Sequence, residues 1–220
     1  MDAPSRQTVT DSIIIMTVLA WIASVFLGIS QSLPYSAGFI PALFGPGEAA
    51  IARDMTAQGL TWRVPSDLTP LTATLIHGGF GHLAMNMLTL LYCGRIVEKT
   101  LGGWSVIFLY AVGAYAAASA HYFANIGQAV PMIGASGAIS ALVGAYAMLF
   151  SRSKARRIGP VPAHYIHALW LAAAWAGIQW LVGFAMNTNG QNIAIAAHIG
   201  GFLAGLMFAR TLLALRYRNA

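Results

Sequence analysis

Nineteen consecutive residues near the start of the chain, "SIIIMTVLAWIASVFLGIS" (12–30), contain no charged side chain. The hydrocarbon core of a bilayer is about 30 Å thick, and an α-helix rising about 1.5 Å per residue needs about 20 apolar residues to cross it. Similar runs recur, and they predict six spans at about 12–32, 79–99, 104–124, 135–151, 165–186 and 194–212. The expected fold class is therefore all-α: a polytopic bundle of six transmembrane helices with a long loop between the first two. Composition supports this, because only 8% of the residues are charged and 58% are hydrophobic, against about 25% charged in soluble domains. The first run is long for a signal peptide's apolar region and has no evident small-x-small cleavage site, so it is counted as a span.

The breaks between spans are clear. "EKTLGGW" (98–104) separates the second and third, "RSKARRIGPVP" (152–162) follows the fourth, and "NTNGQN" (187–192) follows the fifth. The connection 33–67 is long and mixes aromatics, prolines and a few charges, so it is expected to lie partly in the membrane interface. Residues 1–220 read as one membrane domain with short tails at about 1–11 and 213–220. If the N-terminus is cytoplasmic, that side receives Arg6, Arg95, Lys99, Arg152, Lys154, Arg156, Arg157, Arg210, Arg216 and Arg218, and the other side only Arg53 and Arg63. The positive-inside rule favours this orientation, with both tails cytoplasmic. It also accounts for the net charge of +6 without a nucleic-acid partner. The single cysteine, Cys93, excludes an intramolecular disulfide and matches no cysteine-based metal spacing.

In that topology spans two, four and six begin on the same side. His82 and Asn86 lie early in span two, Ser136 opens span four, and His198 lies early in span six. Ionisable residues inside a membrane are scarce and mark function by default. A nucleophilic serine needs a base within about 2.6–3.2 Å, and histidine takes and returns a proton near neutrality. Gly201 and Gly205 share the His198 face of their helix, and Gly137, Ala141 and Gly144 offer a matching seam on span four, which lets the two backbones approach closely. His82 and Asn86, four residues apart, project from one face and supply candidate donors to a developing oxyanion. The start of a helix at Ser136 adds unpaired N–H groups and the positive end of the helix dipole. Gly134 permits a tight turn before it.

Three motifs carry a family resemblance: "HGGFGHLAMN" (77–86), "GASG" (134–137) and "AHIGGFLAG" (197–205). In this order, on alternate spans, they resemble the rhomboid intramembrane serine proteases. The resemblance covers spans two to six. It implies a Ser136–His198 dyad without an acidic third member, an oxyanion hole formed by His82, Asn86 and the Ser136 N–H, and a structural role near the site for His77. It also implies a structural carboxylate at Glu98, for which pairing with Arg95 is an equal alternative. Many family members have an aromatic residue four positions after the nucleophile, stacked on the histidine; here that position is Ser140. Trp62-Arg63 precedes His77 by more residues than the family's Trp-Arg pair does, and no role is assigned to it.

The leading expectation is thus a serine endopeptidase that cleaves transmembrane segments of other proteins near their outer ends, in a bacterial-type inner (plasma) membrane. Its partners are transmembrane substrates and the lipid bilayer, and no cofactor or metal is called for. A catalytically inactive relative that binds transmembrane segments is the alternative. A metal site at His77, His82 and His198 is disfavoured, because spans four to six contain no acidic residue and no His-Glu-x-x-His occurs. His121, His164 and His167 are expected to be interfacial or structural.

Overall fold

The computed structural model describes residues 8–45, 47–151, 155–187 and 194–218, and among these every regular element is helical. The helices are α1 (Thr8–Phe26), α2 (Leu33–Ala37), α3 (Glu48–Ala57), α4 (Thr69–Thr72), α5 (Phe80–Thr89), α6 (Arg95–Leu101), α7 (Gly103–Ala124), α8 (Ser136–Phe150), α9 (Ala163–Asn187) and α10 (Ile195–Arg216). Among the described residues, α1, α7 and α10 are long and apolar enough to cross a membrane, and α8 is a shorter apolar helix of 15 residues.

Two elements differ from the sequence expectation. The first helix runs over 8–26 rather than 12–32, because Gly28 takes φ +68° and turns the chain while the sequence is still apolar. The second span is two helices, α5 and α6, joined through a widened π turn at Leu90–Gly94. The turn faces α1: a side chain on Gly94 would collide with Thr10.

The core lies between α5–α6, α7, α8 and α10, around Leu90, Val97, Val106, Leu109, Leu142 and Ala209, all buried. Small residues set the α8–α10 distance. A Cβ on Gly201 would land on the Gly137 carbonyl, one on Gly205 on the Ala141 carbonyl, and one on Gly144 on the Phe202 carbonyl. The two backbones touch without side chains between them, the close approach that small-residue seams allow in membranes.

Glu98 anchors α1. Its buried carboxylate accepts hydrogen bonds from the backbone N–H of Val9 (3.0 Å) and Thr10 (2.8 Å), two of the first-turn donors that a helix leaves unpaired. The negative charge also sits at the positive end of the α1 dipole. Arg95 pairs instead with Asp11, at 2.9 Å in an exposed bridge. Tyr217 donates to the Thr100 carbonyl (3.2 Å), so the start of α1, the end of α6 and the end of α10 meet at one end of the bundle. Glu98→Ala leaves two first-turn donors unpaired, one buried and one partly buried, and is expected to cost about 1–3 kcal/mol, seen as a lower unfolding temperature in detergent. Asp11→Asn removes only an exposed, solvent-screened pair and is expected to leave the unfolding temperature nearly unchanged.

The long connection is folded. Phe39, Ile40, Ala42 and Leu43 are buried, whereas α3 has no buried residue. Its inner part grips the segment ahead of α8. Phe39 and Met132 exchange backbone hydrogen bonds (3.1 and 2.7 Å), and Ala42 N–H donates to the Gln128 carbonyl (3.0 Å).

Candidate active site

Ser136 is the first residue of α8, so its N–H has no acceptor within the helix. The turn that delivers it is held from outside. Gly134 N–H donates to the Ala73 carbonyl (2.9 Å), and Ala135 N–H points to His77 Nε2 (3.5 Å). Gly134 has φ +108°, a backbone region that side chains rarely adopt, and a Cβ there would lie 2.7 Å from the His82 ring. Two constraints, one conformational and one steric, therefore require glycine at this position.

His198 lies one turn into α10, and its Nε2 is 2.7 Å from Ser136 Oγ. The glycine seam places α8 and α10 close enough for this contact. The other ring nitrogen, Nδ1, is 2.7 Å from Gln179 Oε1 on α9. From the same helix, Trp175 Nε1 donates to the His198 carbonyl (3.2 Å) and its ring stacks on Phe202 (centroids 4.8 Å, 9° apart). Ser140 gives the imidazole no aromatic surface; its hydroxyl donates to the Ser136 carbonyl (2.8 Å).

Asn86 and His82 stand on the α5 face beside this turn. Asn86 is buried, and its Nδ2 donor has no hydrogen-bond partner among the described residues. That nitrogen is 3.8 Å from where a Gly134 Cβ would sit. An unpaired buried amide is costly unless something occupies it during function. His82 is accessible, and its ring meets His77 edge-on at 5.0 Å. Behind Ser136 a narrow cavity of about 10 Å³, lined by Thr74, Gly134, Ala117 and Gly137, has room for about one water molecule.

The structure thus brings together Ser136, His198, His82, Asn86, Gly134 and His77, with Gly137, Gly201 and Gly205 beneath them. The other histidines have separate partners. His121 is tied to Asn125, and His167 Nε2 lies 2.8 Å from Ser151 Oγ. Ser151 commits its proton to the Ala147 carbonyl, so that pair is a helix end rather than a nucleophile and base. Gln179 was not singled out by sequence reasoning. Its signal was a single amide within the apolar run "ALWLAAAWAGIQWLVGFAM" (168–186), of the kind more often attributed to helix–helix contacts.

A family model described as the rhomboid domain matches residues 62–215, most of the chain and all of this constellation. The chain belongs to the rhomboid family. Rhomboid proteins are integral membrane proteins, usually serine proteases acting on membrane-protein substrates. Rhomboid protein 1, mitochondrial, of Saccharomyces cerevisiae is 30% identical over 150 residues, 66% of this chain and 42% of that protein. Rhomboid protease GluP of Bacillus subtilis is 28% identical over 158 residues (72% and 27%). RHOMBOID-like protein 5 of Arabidopsis thaliana is 27% identical over 164 residues (74% and 48%). The chain spans less than half the length of each of these relatives.

Proposed function

We propose that this rhomboid protein is an intramembrane serine endopeptidase cleaving transmembrane segments of other membrane proteins, with Ser136 as nucleophile and His198 as base. The observation that carries the reading is the 2.7 Å contact between Ser136 Oγ and His198 Nε2 at the head of a helix. As Oγ attacks the scissile carbonyl, its proton passes to Nε2. The oxyanion is met by Asn86 Nδ2, the His82 ring and the Ser136 N–H, each donor worth about 10²–10³ in rate. The imidazolium then protonates the leaving amine, and water repeats the sequence on the acyl-enzyme.

The membrane placement belongs to the same proposal. Six crossings are formed by α1, α5–α6, α7, α8, α9 and α10 in one domain over 1–220, with both termini cytoplasmic in a bacterial-type inner membrane. α8, with 15 residues, is about 22 Å long, shorter than the hydrocarbon core of about 30 Å. A helix of that length leaves at least one end within the hydrocarbon thickness, and this reading puts that end at Ser136, on the outer side. Substrates are expected to be cut near their outer ends, at small residues beside helix-destabilising ones, because an intact helix shields its carbonyls.

A fluorophosphonate probe tests the assignment. Purified protein in detergent is expected to gain one phosphonyl adduct, mapped by mass spectrometry to the peptide containing Ser136. Wild-type protein that takes up no probe and cleaves no transmembrane substrate would contradict the proposal and favour a non-proteolytic binder of transmembrane segments.

A further inference from the structure

We propose that Gln179 of α9 is a positioning residue that holds His198 in the one tautomer able to act as a base. The inference rests on the peptidase reading above. An amide oxygen only accepts, so the 2.7 Å contact from Gln179 Oε1 requires a proton on Nδ1. The neutral ring then has its lone pair on Nε2, 2.7 Å from the Ser136 hydroxyl and able to take its proton. In the opposite tautomer, Nε2 would carry a hydrogen toward Ser136 and could not receive another. Which ring nitrogen is protonated decides whether the pair is reactive, and that choice is made at the far side of the ring.

Three further features fit this role. Gln179 is 8% exposed, so little water competes for its oxygen. Trp175, one turn earlier on α9, donates to the His198 carbonyl, and its stacking on Phe202 reaches one turn further along α10. The two helices are thereby registered one turn away from the Gln179–His198 contact. Ser140, whose hydroxyl turns to the Ser136 carbonyl, supplies no competing hold on the ring. The catalytic arrangement thus reads as Ser–His–Gln. A neutral amide orients the imidazole as a carboxylate would, without a full charge beside the imidazolium.

The experiment compares wild type, Gln179→Met and Gln179→Glu on a transmembrane-peptide substrate in detergent, with kcat, KM and the pH profile measured for each. Met fills a similar volume but offers only a weak thioether acceptor in place of the amide oxygen. It is expected to lower kcat about 10- to 100-fold with KM changed less than about two-fold, since the loss is in orientation rather than binding. Glu keeps an acceptor at the same reach and is expected to restore kcat to within about five-fold of wild type. It should also move the acidic limb of the profile to higher pH, because a carboxylate favours the imidazolium. The other histidines that the described residues bring to this site, His82 and His77, are unchanged in all three proteins.

A Met variant with kcat within two-fold of wild type would overturn the role. So would equal losses in Met and Glu with one unshifted pH profile, the pattern of mere packing. These outcomes with an active wild type refute the positioning role alone, whereas a wild type inert to substrate and probe refutes the peptidase reading and this inference together.

Discussion

Ser136→Ala, His198→Ala and the double variant are expected to fall to one common level of activity, about 10³- to 10⁶-fold below wild type. The reason is geometric. With Oγ and Nε2 2.7 Å apart, bond formation to the substrate and transfer of the serine proton are a single event. Removing either partner removes that event, and the second substitution has nothing left to take away. The residual rate is expected to come from the proposed oxyanion donors, Asn86, His82 and the backbone N–H at position 136, which all three variants retain. Cleavage of a single-span substrate in proteoliposomes measures all four proteins under the same conditions. Losses that multiply would mean that the two side chains act in separate steps, and a Ser136→Ala protein that still cuts would remove the nucleophile from the mechanism.

The candidate site was more legible in the sequence than the scaffold around it. Imidazole and carboxamide side chains are costly in a membrane, so His82, Asn86 and His198 stood out against apolar neighbours. The glycines at 137, 201 and 205 announced close helix contact by their spacing. Gln179 was hidden because one amide on an apolar helix has a bland explanation, and its ring partner is on another helix. The end of α1 is invisible to hydropathy, which continues through Leu27 and Ile29 while Gly28 has already turned the chain. The widened turn at Leu90–Gly94 left no mark, because it sits against Thr10 of α1, a contact between residues far apart in the chain. Glu98 drew attention as a carboxylate, but its acceptors' partners were backbone N–H groups about ninety residues away, which no local pattern records.

Gly205→Leu is expected to abolish activity and to destabilise the protein by about 3 kcal/mol or more, beyond the usual cost of overpacking a core. A Cβ at this position would fall on the Ala141 carbonyl oxygen and lie 2.8 Å from the Ala145 nitrogen. Both are backbone atoms of α8, so no rotamer change relieves the clash and the helices must separate. His198 rides on α10 seven residues earlier and Ser136 on α8 five residues before Ala141, so separation lengthens their 2.7 Å contact directly. A shift of about 1 Å is enough to cost about 10²-fold in rate. Gly177→Leu on α9 is the matched control, since a Cβ there meets none of the described atoms within 4 Å, and it should leave both properties near wild type. Thermal unfolding in detergent and phosphonate labelling read the two effects separately. A stable, fully labelled Gly205→Leu protein would show that the small-residue seam does not set the distance between the serine and its base.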